Sequence, residues 1–182
     1  MKKGLLLFAM LSSFTMLESH NVSAGNRAGA VTFTPGMGYY VFEGERNLNN
    51  TAVLPTLALS YNLTNQWAIE GAYGTFGTNY KPSNMQGSVK GNLYTVDGLY
   101  RFAQHGMFEP YVSAGLGALY INPNGTDAAN QANLNAGLGA QLFFDKSVAL
   151  RVEVRDLYTM VGGKNDVMLN LGVSFLMGGE AT

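Results

Sequence analysis

The run ALRVEVRDLYT at residues 149–159 places Leu150, Val152 and Val154 on one parity and Arg151, Glu153 and Arg155 on the other. A period of two marks an extended strand whose faces meet different surroundings. In a soluble fold the valines would turn to the core and the charges to water. The rest of the chain argues for the opposite.

The start of the chain bears on the compartment. Met1, Lys2 and Lys3 form a basic beginning, and residues 4–17 are apolar apart from Ser12, Ser13 and Thr15. Val22 and Ala24 then suit the two specificity positions of a leader peptidase. Residues 1–24 are therefore expected to be a secretory signal peptide cut after Ala24, leaving 25–182 as one domain. The apolar run is shorter than the roughly 20 residues a spanning helix needs. There is no cysteine, which excludes a lipid-anchored leader and a disulfide framework.

Without residues 1–24 the chain keeps 9 Lys+Arg (11−2) and 11 Asp+Glu (12−1), a formal charge of −2. No basic footprint for nucleic acid remains. Only 13% of residues are charged and 12% are aromatic, whereas about a quarter of a soluble domain is charged. No later apolar segment is long enough for a membrane helix. An exported chain of this kind can still cross a membrane as a closed β-barrel.

Eight strands are expected, at about 31–42, 52–61, 67–76, 91–102, 108–120, 131–144, 147–158 and 166–176. Each is long enough for the ~9–11 tilted residues that cross a bilayer core. Connections after the second, fourth and sixth are short (NLTNQ, AQHGM, DK). The other four are longer or richer in Asn and Gly, including GTNYKPSNMQGSVK and INPNGTDAAN. Short turns at one end and long loops at the other describe an antiparallel up-and-down transmembrane β-barrel with periplasmic turns and termini.

The two faces follow from parity. Val53, Pro55, Leu57, Leu59 and Tyr61 oppose Thr56, Ala58 and Ser60, and Leu134, Leu138 and Leu142 oppose Asn133, Asn135, Gly137, Gly139 and Gln141. Large aliphatic side chains suit lipid, and small or polar ones suit a narrow lumen. A soluble barrel with a greasy lumen would need the reverse. Tyr61, Trp67, Tyr100, Phe102, Phe108, Tyr111, Phe144 and Phe175 fall near the short-turn ends; Tyr39, Tyr73, Tyr94, Tyr120 and Tyr158 fall near the other. These are expected as two interfacial aromatic belts.

The charges on the lumen parity are Glu70, Asp97, Arg101, Arg151, Glu153 and Arg155, three acids and three bases. Glu70, Arg101 and Arg151 are expected at similar low depth, with Asp97, Glu153 and Arg155 higher. A narrow interior cannot leave an ion unpaired, so a cross-lumen salt-bridge network is expected. It could act as a static plug or as a switchable gate in a small water path.

The order of eight strands, LRVEVRDLYT at 150–159 and the final hairpin GKNDVMLNLGVSFLMGG at 163–179 resemble the N-terminal transmembrane barrel of the outer membrane protein A (OmpA) and OprF group of Gram-negative bacteria. That resemblance implies a lumenal gate formed by an acid on strand three and bases on strands four and seven, matched here by Glu70, Arg101 and Arg151. It also implies a peptidoglycan-binding domain after the barrel. Only residues 177–182 follow the last expected strand, which puts wall anchoring in doubt and leaves a lone barrel or a truncated product as the expectation.

The remaining expectations are brief. The outward row Val167, Leu169, Leu171, Val173 and Phe175 should act as the assembly signal, read as an open edge by the barrel assembly machinery. Outer-membrane lipid and lipopolysaccharide should surround a monomer. Barrel enzymes that transfer acyl groups need a histidine base near the outer leaflet. His20 leaves with the leader and His105 lies in a short turn, so no enzyme is expected. No metal or cofactor is expected, and the GLG runs at 115–117 and 137–139 are read as lumen space rather than phosphate loops. The competing function is a surface adhesin working through its long loops, where Tyr80, Lys81, Lys90 and Lys164 are expected to be exposed.

Overall fold

The computed structural model describes residues 25–41, 51–79, 88–123, 129–160 and 163–179. The signal-peptide expectation for 1–24 and the loop residues Tyr80 and Lys81 lie outside these ranges, as does the side chain of Lys164. The strands are β1 (Ala30–Val41), β2 (Thr51–Asn62), β3 (Trp67–Asn79), β4 (Ser88–Arg101), β5 (Phe108–Pro123), β6 (Ala129–Asp145), β7 (Val148–Thr159) and β8 (Lys164–Gly178). Each pairs antiparallel with its neighbour in sequence, and β8 pairs back onto β1 to close the barrel. Closure gives every strand a neighbour on both sides, the way a sheet meets its backbone hydrogen bonds in lipid, although the β2–β3 seam pairs only up to Thr56↔Gly74.

The three short turns share one end with the chain ends, and each has a local reason to bend. In the β2–β3 turn the Thr64 hydroxyl accepts from the backbone N–H groups of Gln66 (3.1 Å) and Trp67 (2.9 Å). Between β6 and β7 the Asp145 carboxylate accepts from the Lys146 N–H at 2.6 Å, next to a register shift at Phe143/Asp145. The β4–β5 turn passes through Gly106 at φ 61°, a left-handed conformation costly for any residue with a Cβ.

The alternation resolves as expected. Leu59, Val96 and Leu116 are 55–63% exposed, while Glu70 and Arg101 are 1% exposed. The aliphatic rows point outward and the charged row of β7 points into the lumen. Exposed charges are few among the described strand residues: Lys90 near the long-loop end of β4, Asp145 at the foot of β6, and Asp156 on β7. Asp156 is exposed between Ala136 of β6 and Val167 of β8, two residues below the exposed Tyr158.

The aromatic belts are present and in contact. At the short-turn end Trp67, Tyr100 and Phe102 follow one another at centroid separations of 4.9 and 5.2 Å. At the far end Tyr73, Tyr94 and Tyr120 do so at 5.0 and 5.7 Å. Tyr111, expected in the lower belt, is instead buried in the lumen. Its parity is that of Ser113 and Gly115, opposite the outward Val112 and Ala114.

Several strands run further than their sequences suggest. Pairs such as Gly77↔Lys90 and Thr78↔Val89 extend the β3–β4 hairpin, and β5 and β6 reach 16 and 17 residues. The Gly, Asn and Thr residues there read as loop chemistry, but a neighbouring strand supplies hydrogen bonds whatever the intrinsic propensity. Since about 9–11 residues cross a bilayer core, the β5–β6 hairpin stands above it on the long-loop side.

Candidate functional site: the lumen

Strand geometry dictates which side chains can meet. In a ring of eight strands β3 faces β7 across the lumen, and β4 is the neighbour of β3. Glu70 of β3 and Asp97 of β4 are direct cross-strand partners, an arrangement of like charges that is unfavourable by itself. It is offset from across the barrel. Arg151 of β7 makes a bidentate pair with Glu70, Nη1 to Oε2 and Nη2 to Oε1, the latter at 2.8 Å. Arg155 of β7 donates from Nη1 to Asp97 Oδ2 at 2.6 Å.

Glu153 joins the two halves. Its Oε2 accepts from Arg151 Nη2 at 2.8 Å, and its Oε1 accepts from Arg155 Nη2 at 2.9 Å and Nε at 3.2 Å. The result is one alternating row, Glu70–Arg151–Glu153–Arg155–Asp97. Neutral groups add to it, while Asp97 Oδ1 is left without a partner among the described residues. Tyr111 accepts from Arg151 Nε at 2.6 Å, Ser113 donates to Glu153 at 2.7 Å, and Thr95 donates to Asp97 at 2.9 Å. The Arg151 guanidinium carbon also lies 4.9 Å from the Tyr111 ring centroid, a cation–π distance.

Arg101 is placed differently from its expectation. Among the described residues it pairs with Glu109 rather than Glu70, and it lies below Glu70, where β4 pairs with β5 as Arg101↔Tyr111. It donates from Nη1 to Asn62 Oδ1 at 2.9 Å, and its Nε is 3.8 Å from Glu109 Oε1. Both Glu70 oxygens are already held by Arg151, which leaves Arg101 to the lower group. Asp97 also departs from the expected depth, since it shares the row of Glu70. The residues aligned with the implied gate thus divide into a joined pair, Glu70 and Arg151, and a separate Arg101.

Two inward acids were missed in the sequence: Glu109 on β5 and Asp166 on β8, both buried. With them the described lumen holds five acids and three bases, not an equal number. Parity alone would have found both, because Glu109 shares the face of Ser113 and Gly115, and Asp166 that of Met168 and Asn170. Asp166 accepts from the Tyr40 hydroxyl at 2.9 Å.

The apolar content of the lumen was not expected either. Tyr40, Ala52, Leu54, Phe76, Leu93, Leu119, Leu157 and Met168 form one buried cluster. Seven of the eight strands contribute, all from the long-loop half. A cavity of about 50 Å³ separates this layer from the ion row, bordered by Leu93 and Met168 above and by Glu70, Arg151 and Glu153 below. That volume suits a few waters, and the otherwise unpartnered Asn170 Oδ1 belongs to a residue lining it.

Glycines of the second GLG run make room for the row. A Cβ on Gly139 would meet the ring of Tyr111, and one on Gly137 would lie 2.5 Å from Glu153 Oε1. Gly139→Ala should therefore push on the tyrosine that positions Arg151, at a cost of about 1–3 kcal/mol for an overpacked site. Urea unfolding in detergent micelles should show the loss. An unchanged midpoint would mean that Tyr111 moves aside freely.

A closed antiparallel barrel with two aromatic belts, an aliphatic exterior and charges inside is an outer-membrane β-barrel, and the protein is a bacterial outer-membrane protein. The family model described as the OprF membrane domain matches residues 13–181. The chain belongs to that family.

Solved structures agree on the fold. The N-terminal barrel of Pseudomonas aeruginosa OprF is similar at 24% identity and TM-score 0.63, covering 84% of this chain and 100% of that one. Neisserial surface protein A matches at 16% identity and TM-score 0.66, over 81% of this chain and 98% of its own. Ail, the attachment invasion locus protein of Yersinia pestis, matches at 15% and 0.59, over 82% and 99%. A search of curated proteins finds no match. Family and fold are those of structural and porin-like barrels.

Proposed function

We propose that the protein is a structural barrel whose lumen is sealed, with the ion row bracing opposite walls. The apolar layer above the row carries this reading. Seven strands contribute to it, whereas a polar, water-filled channel is what a porin lumen requires. Beneath it, Glu70 and Arg151 tie β3 to β7 as a permanent brace. Polar groups that are buried and mutually satisfied stiffen a structure.

The test is conductance of the folded, unaltered protein in a planar lipid bilayer. A sealed barrel gives a flat baseline across the usual voltage range. Steady single-channel steps would overturn the reading and return the Glu70–Arg151 pair to the role of a gate.

A second reading has one observation in its favour. The β5–β6 hairpin, 16 and 17 residues per strand, stands above the membrane and offers a surface for adhesion. Surface attachment would be tested by trimming that hairpin and measuring binding of bacteria to host cells. Unchanged binding would remove the hairpin from that role.

A further inference from the structure

The segment that precedes β1 does not trail away from the barrel. Asn26 is 8% exposed, and its amide Nδ2 donates to Glu109 Oε1 of β5 at 2.6 Å and to Gln141 Oε1 of β6 at 2.7 Å. Asn62 of β2 donates back to Asn26 Oδ1 at 3.3 Å. In a closed ring of eight, β5 stands opposite β1. A side chain that leaves from the foot of β1 and bonds β5 has crossed the whole mouth.

The next residues pin the crossing on the other sides. Arg27 donates to Gly178 O at 2.7 Å and to Lys146 O at 3.0 Å, at the feet of β8 and β7. The Ala28 N–H donates to Asn65 Oδ1 at 2.9 Å, and the Gly29 N–H donates to Asn62 O at 2.8 Å. Gly29 has φ 76°, so the chain turns from this crossing into β1 through a conformation that suits glycine.

We propose that residues 25–29 are a plug for the periplasmic mouth, docked in a site that the barrel builds for this segment. Glu109 is the anchor of that site. Its nearest described cation, Arg101, is 3.8 Å away, so Asn26 supplies the close donor that this buried carboxylate needs. The plug begins at the first residue after the expected leader cut. With the apolar layer above and the plug below, the ion row lies in a compartment closed at both ends. This rests on the sealed-lumen reading for its upper boundary only.

The absence of cysteine allows a direct test. Ser60 is buried on the lumen face, in the row of Glu70 and above the plug. Ala52 is buried within the apolar layer. Single cysteines at these positions, Ser60→Cys and Ala52→Cys, are placed in the mature chain with and without Asn26→Ala and Arg27→Ala. Each protein is folded in micelles, checked by its heat-modifiable gel mobility, and labelled with a charged methanethiosulfonate.

Removing the plug contacts should raise the labelling rate at position 60 on the order of tenfold or more, a local opening, and leave position 52 unreactive. Equal rates at position 60 would overturn the plug. Faster labelling at both positions would mean general loosening and overturn it as well. Failure of the sealed-lumen reading shows separately, as channel steps from the unaltered protein.

Discussion

Deletion of Val173–Thr182 is expected to abolish membrane insertion and leave a degraded periplasmic chain. The deletion removes the foot of β8, and with it both seams that close the lower half of the ring. On one side the pairs Phe33↔Phe175, Thr32↔Leu176, Val31↔Met177 and Ala30↔Gly178 are lost. On the other, Leu150↔Val173, Ala149↔Ser174 and Val148↔Phe175 go with them. Backbone groups left open at lipid depth cost several kcal/mol each. Interior packing fails too, because Leu176 belongs to a buried cluster with Phe143 and Ala149, and Ser174 is hydrogen-bonded to Thr34 at 2.9 Å.

The readout is the heat-modifiable band in the outer-membrane fraction, which should disappear. Normal levels of the truncated chain would mean that the barrel closes without the foot of β8. The outward row Val167, Leu169, Leu171, Val173 and Phe175 is proposed as the part read by the assembly machinery. Replacing Phe175 by Ser in the full-length chain separates recognition from closure. It keeps every backbone pair while removing the terminal aromatic, so slower insertion with unchanged final stability would point to recognition.

Arg151→Ala should be the most damaging single change in the lumen. Arg151 joins Glu70, Glu153 and Tyr111, so its loss strands a buried carboxylate on β3. Breaking one side of a buried pair costs roughly 3–5 kcal/mol. Adding Glu70→Ala should recover part of that loss, a coupling of about 0.5–3 kcal/mol. Arg101→Ala should cost less, because Glu109 keeps the two donors of Asn26. Urea midpoints in micelles compare the variants. Additive losses for Glu70 and Arg151 would show that the pair is not coupled, and a larger loss for Arg101 would reverse the ranking.

Much of this was legible in the chain itself. Period two in LRVEVRDLYT placed Arg151, Glu153 and Arg155 on one face, and the aliphatic rows of β2, β6 and β8 showed which face meets lipid. Short turns alternating with long loops set the up-and-down order, and counting strands brought β3 opposite β7. These readings hold because alternation is imposed by backbone geometry, residue by residue, and needs no knowledge of distant partners.

Depth was another matter. Arg101 looks as eligible for Glu70 as Arg151 does, until stagger between strands lowers it to the level of Tyr111 and Glu109. Stagger is a property of the closed ring and is written in no single strand. Parity already turns Tyr111 inward with Ser113, but only the closed barrel brings it to Arg151. The apolar layer was hidden for the same reason. Each strand but β6 contributes one or two of its eight members, which look incidental in a polar row and become a seal only when seven strands meet. Sequence alone determined the strands, their order and their two faces, because those follow from local periodicity. Tertiary structure alone decided which charges pair and what closes the lumen, because both depend on shear and closure that sum over the whole barrel.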